Sequence, residues 1–137
     1  VEEIFRVYKP KASTADRLTC LLHDAPEYVI GDMISPFKAA IGIDYKAFEA
    51  KLEAAVHMRF GLPAVPAEPL KKLIKRADRA SAWFEAVQLA GFTESEASKY
   101  FPRPRFKGAA EIRLIPQPTA KVQAAFLKRF ELLLASL

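Results

Sequence analysis

The chain has a single cysteine, Cys20, among its 137 residues. No disulfide can form within it, which excludes the framework of a small secreted domain and makes a reducing cytoplasm the expected compartment. No apolar run approaches the ~20 residues of a membrane span. No secretory leader opens the sequence. Dense lysine or arginine tracts are missing, which weakens the case for a nucleic-acid partner. Strand-like alternation, internal repeats and low-complexity segments are also absent. Histidine is scarce, with only His23 and His57.

What is present reads as one all-α domain over residues 1–137, a bundle of about six helices with at most a minor hairpin. An apolar content of 51% and a charged content of 27% suit a globular chain long enough to bury a core. The net charge of +5 favours anionic ligands. Val1, Ile4, Phe5 and Tyr8 have helical spacing, and Lys9-Pro10 ends that helix. The sequence opens on Val rather than Met, inside this pattern, so a longer first helix is expected upstream.

Ser13-Thr14-Ala15-Asp16 starts the next helix. Ala15, Leu18, Leu21, Leu22 and Ala25 lie on one arc of it, and Cys20, His23, Asp24 and Glu27 on the other. Asp44 is the expected cap of a helix through Arg59, with the stripe Tyr45, Phe48, Leu52, Ala55, Val56 and Phe60. A long helix is expected from Leu70 to Ala90, with Leu70, Ile74, Ala77, Ser81, Phe84 and Gln88 facing the core. Thr93-Glu94-Ser95-Glu96 is a capping box for a short helix ending near Phe101. Residues 102–118 read as a surface loop with an extended piece at Glu111–Ile115. A last helix from Pro118 is expected to bury Val122, Phe126, Phe130, Leu133, Leu134 and Leu137. Its apolar face and the phenylalanine count permit a homodimer.

The unusual chemistry is concentrated between His23 and Lys38. His23 and Asp24 stand side by side after the apolar run Leu18–Leu22, and adjacent imidazole and carboxylate at the end of a buried helix need a partner. A divalent metal is one, because both groups are good ligands. Asp24, Pro26 and Glu27 also fit an ordinary helix start. Asp78 is expected on the inward face of the long helix, where a carboxylate must be paired or metal-bound. It could pair with Arg76 or Arg79. Lys71, Lys72, Lys75, Arg76 and Arg79 around it form either a solvated basic face or a field for a phosphate.

A His-Asp pair at a helix end, followed by a lone inward Asp on a later helix, resembles the HD superfamily of metal-dependent phosphohydrolases. Glu27, Gly31-Asp32, Pro36 and Lys38 are similar to the branch that hydrolyses nucleoside 5′-monophosphates. The resemblance covers roughly residues 1–100. It implies an HD-like helical fold and a divalent metal (Mn, Co, Fe, Ni, Zn or Mg) on His23, Asp24 and Asp78. It also implies Glu27 or Asp32 as the catalytic residue working on a metal-bound water, and Lys38 as a phosphate contact. The substrate is expected to be a small phosphorylated molecule, a nucleotide, with no membrane partner. An alarmone-type nucleotide is an alternative substrate.

The family pattern also calls for a histidine upstream of the His-Asp pair, and none precedes His23. His57 lies downstream and reads as a surface or packing histidine. The missing ligand is expected within ~7 residues before Val1, about two helical turns. The same gap supports a different class, a non-catalytic helical module that binds nucleotides or nucleic acid through Phe101, Arg103, Arg105, Phe106 and Lys107.

Overall fold

A computed structural model of the chain describes residues 1–31, 33, 36, 40 and 45–137. Among these it is all-helical, a small bundle without strands. The α-helices are α1 (Glu2–Tyr8), α2 (Thr14–Leu21), α3 (Glu27–Ile30), α4 (Tyr45–Arg59), α5 (Glu68–Gln88), α6 (Glu94–Tyr100) and α7 (Thr119–Leu134). A short 3-10 turn, Ala109–Glu111, precedes α7. No helix among the described residues is long and apolar enough to cross a membrane.

Local chemistry sets several boundaries. Ser13 caps α2, its hydroxyl accepting from the Asp16 amide at 3.1 Å. The capping box of α6 forms as expected, with Thr93 and Glu96 each bonding the other's backbone amide. Gly61, at φ 72°, closes α4. It lets the Leu62 amide reach the His57 carbonyl at 2.9 Å and the Gly61 amide reach Met58 at 3.2 Å. The expected cap of α4, Asp44, lies outside the described residues.

Helix α5 is the spine. One buried cluster gathers Ile74, Ala77, Ala80, Trp83, Phe84 and Ala86 from it, Ile4 and Phe5 from α1, Cys20 from α2 and Ala97 from α6. Trp83 Nε1 also donates to Ser98 Oγ at 3.2 Å, which fastens α6 to the spine. A second cluster joins Leu18 and Leu22 to Leu62 and Leu133. Helix α2 is therefore wedged between two cores, and Cys20 is fully buried rather than part of a ligand-bearing arc. Glu2, 6% exposed, is balanced by Arg17, whose Nε lies 2.8 Å from its carboxylate, and more loosely by Arg129 at 3.8 Å. The trio ties α1 to α2 and α7.

Several expectations are corrected. Of the apolar stripe on α7, only Leu133 is buried, and Phe130 is half-buried with its ring edge on Phe60 at 5.0 Å. Val122, Phe126, Leu134 and Leu137 are exposed, because no other described element covers the outer side of that helix. The stripe of α4 is rotated, with Phe48 and Ala55 exposed and His57 buried in their place. Residues 111–115 form no strand. Nor is the 102–118 loop purely superficial, since Phe106, Ile112 and Leu114 pack on the main core.

Gln88 explains how that loop is held. Its side-chain amide donates to the Ile112 carbonyl at 3.0 Å, and its carbonyl accepts from the Leu114 amide at 2.8 Å. One side chain thus replaces the strand partner that the extended backbone lacks. Gln88→Ala should cost about 1–3 kcal/mol by leaving the part-buried Leu114 amide unpaired, while the Ile112 carbonyl keeps the Arg113 guanidinium at 2.9 Å. Urea unfolding checks this, and a loss under a few tenths of a kcal/mol would show that water replaces the clasp.

Candidate metal centre

The turn from α2 into α3 is tight. The Ala25 amide bonds Leu22, and the Glu27 amide bonds the Asp24 backbone carbonyl at 3.0 Å. Pro26 takes the cap position of α3 in helical conformation, and no side chain caps that helix. The Asp24 carboxylate is therefore not spent on a helix start, and the ordinary capping reading of Asp24 and Glu27 does not apply.

Across from this turn stands the middle of α5. His23 Nε2 lies 2.9 Å from Asp24 Oδ2 and 3.9 Å from Asp78 Oδ1. Ligand atoms of all three residues fall within 4.8 Å of one another. The sequence-derived set His23, Asp24 and Asp78 is thus brought together from two separate helix regions. Glu27 lines the same cleft. Asp32 and Lys38 lie outside the described residues.

Asp78 does form an ion pair, but with Lys75, Nζ to Oδ2 at 2.7 Å, instead of Arg76 or Arg79. Arg76 stacks over the Tyr8 ring at 4.2 Å, and Arg79 donates to the Tyr100 carbonyl at 3.5 Å. Lys75 stands one helical turn before Asp78, where side chains of one face meet.

The His23 contacts are charge contacts, out of line for a ring N–H bond. Both ring nitrogens are buried and, among the described residues, lack a hydrogen-bond partner. An orphaned Nε2 facing two carboxylates fits a divalent cation, which would take that nitrogen and the carboxylate oxygens as ligands. Without a cation, burial opposes charge on the ring, but Asp24 and Asp78 outweigh it and hold the His23 pKa up at about 9. The His23 ring first, and then Lys75 against burial, hold the Asp78 carboxyl down at about 2. Cys20 is no ligand, because burial pushes its thiol up to about 12. His57, 1% exposed, is a packing histidine outside the cleft lining.

The cleft encloses about 370 Å³. Lys71 and Lys75 of α5 line one wall, and Lys46, Glu49 and Glu53 of α4 another. The α4 residues were not singled out in the sequence. Their spacing of three and four, off the apolar stripe, is the signal that marks a shared helix face.

These features define an all-helical domain with a His–Asp–Asp cluster at the mouth of a charged cleft. No family model matches the chain. It is 52% identical over 139 residues to Uncharacterized protein RCAP_rcc00048 of Rhodobacter capsulatus, a match covering 100% of this chain and 70% of that protein. The chain belongs to the same family as that protein. A shorter similarity, 39% over 51 residues, links it to Uncharacterized protein YfdR of Escherichia coli, covering 37% of this chain and 28% of that one.

The cluster makes metal-free stability depend on pH in both directions. Asp78 is lowered from 3.8, so its contribution is complete above 3.8 and fades as pH falls through about 2. His23 is raised from 6.5, so its contribution is complete below 6.5 and fades as pH rises through about 9. Melting temperature in chelator should therefore decline as pH rises from 6.5 through about 9, and Asp78→Asn should shrink the decline. An unchanged alkaline limb in the variant would separate Asp78 from His23.

Proposed function

We propose that the chain is a metal-dependent phosphohydrolase of the HD type that cleaves a phosphate monoester, with nucleoside 5′-monophosphates as its substrate class. The observation that carries this reading is the convergence of His23, Asp24 and Asp78 ligand atoms within 4.8 Å, in a cleft that also presents Glu27 and lysines. His23, Asp24 and Asp78 would hold the metal. The metal when bound supplies Lewis acidity and a water of lowered pKa.

The chain's own residues do the rest. Glu27, in the first turn of α3 and on the cleft wall, accepts the proton of the attacking water. Lys71 and Lys75 give point charges for the phosphate oxygens. Asp32 as a second base and Lys38 as a phosphate contact belong to the proposal through the family resemblance. The reading carries with it a cytoplasmic setting and a small-molecule partner.

One observation favours a second reading, a binding module without catalysis. A protonated His23, together with Lys75 on Asp78, already balances the two carboxylates, so the cluster holds together without a metal.

Chelation followed by add-back of Mn, Co, Zn or Mg, read over a panel of nucleoside 5′-monophosphates, separates the two. Turnover should vanish on chelation and return with metal. Glu27→Gln should keep metal content and lose ~10²-fold or more in turnover. Activity that survives exhaustive chelation would falsify the enzyme reading, and absence of both metal uptake and turnover would favour the module.

Asp78→Ala should lower metal affinity by at least the ~10- to 100-fold seen for outer-shell losses. Metal binding must also displace the His23 proton, so affinity should rise with pH up to about 9. Titration calorimetry reads both. Unchanged affinity in Asp78→Ala would make Asp78 a structural ion-pair residue.

A further inference from the structure

We propose that a groove beside the cleft, walled by Lys72, Arg76, Arg79 and Pro102, is a second anion site that binds a phosphate other than the one hydrolysed. The substrate class then shifts from simple nucleoside 5′-monophosphates to nucleotides that carry a second phosphate group. The identity of the first phosphate rests on the phosphohydrolase reading above, while the groove stands on its own geometry.

The groove encloses about 280 Å³, and Lys75 lines both it and the cleft. The two spaces are therefore neighbours across one side chain. Lys72, Lys75, Arg76 and Arg79 recur at helical spacing along α5, spanning about 10 Å of axis.

The charges of three of them are not cancelled. Among the described residues no carboxylate pairs with Lys72, Arg76 or Arg79. Some other cations of the chain are paired, Lys9 with Asp16, Lys71 with Glu68 and Arg103 with Glu94. Arg76 and Arg79 are steadied by neutral groups instead, the Tyr8 ring and the Tyr100 carbonyl. Such partners orient a guanidinium and leave its charge available. Like charges four residues apart, as in Lys72/Arg76 and Lys75/Arg79, repel on a helix. An anion between them relieves that repulsion, and a guanidinium presents the donor fork that phosphate oxygens fit.

A substrate with one phosphate fills one of the two spaces, and a substrate with two phosphates fills both. The second phosphate can be on another sugar carbon or in a pyrophosphate link, and the test distinguishes these sources.

Binding of adenosine 5′-monophosphate, adenosine 3′,5′-bisphosphate and adenosine 5′-diphosphate to the full chain is measured by calorimetry in chelator at low salt. At least one two-phosphate ligand should bind tenfold or more tightly than the monophosphate, and which one does so identifies the source. Lys72→Gln and Arg79→Gln should shrink that ratio several-fold, and Arg79→Lys should keep most of it. Thermal melting confirms that each variant is folded, with Lys72→Gln the safer because among the described residues Lys72 has no hydrogen bond or ion pair to lose.

Equal affinity for all three ligands, or a ratio indifferent to Lys72 and Arg79, overturns the proposal and leaves a solvated basic face. A two-phosphate preference without any metal-dependent turnover would support the groove while removing the hydrolase reading. Metal-dependent turnover alongside equal affinities would do the reverse.

Discussion

The cleft depends on one buried core that gathers the helices carrying its ligand groups. Cys20 near the end of α2 and Ala77 in the middle of α5 are both fully buried in the same cluster. Both are small side chains, and they help seat α2 and α5 in one core. His23 stands three residues beyond Cys20, and Asp78 directly follows Ala77. The core that seats both helices thus brings their side chains to 3.9 Å of each other. Larger residues at either position would overpack this contact and move the imidazole from the carboxylate.

The electrostatics of the cluster follow from that placement. A protonated His23 and Lys75 are two positive groups, and Asp24 and Asp78 are two negative ones. The metal-free site is neutral, which lets charged groups survive at a half-buried position without a large desolvation cost. In the proposed enzyme a divalent ion replaces the His23 proton, and the sum becomes one positive charge. Loading the site and attracting a phosphate are then the same electrostatic event. Lys75 serves both conditions, compensating Asp78 beforehand and facing the cleft throughout.

Much of this was legible in the sequence. Periodicity and caps marked the helices, and the His23-Asp24 pair with a lone inward Asp78 marked the cluster before any distance was known. What escaped has identifiable physical causes. The partner of Asp78 fell to Lys75 because residues three apart share a face, whereas Arg76 and Arg79 point elsewhere to Tyr8 and Tyr100. The Gln88 clasp joins positions 24 and 26 residues apart, a pairing that no local pattern encodes. Glu2 reads as an ordinary first-turn acid, and only the arrival of Arg17 from α2 makes its burial tolerable. The open face of α7 shows that an apolar stripe states a capacity for burial, while tertiary packing decides whether it is used.

Helix α5 carries three tasks at once, and the helical period keeps them apart. Ala77, Ala80 and Phe84 meet the core, Lys71, Lys75 and Asp78 meet the cleft, and Lys72, Arg76 and Arg79 meet the groove. Each set recurs at spacings of three and four, so the faces sit side by side around one cylinder. A rigid helix of this kind holds functional groups more precisely than a loop does. It also couples them, because a rotation that improved the core would turn the cleft and groove residues with it. In the proposed enzyme the sequence of α5 is therefore constrained on its cleft and groove faces as well as in the core.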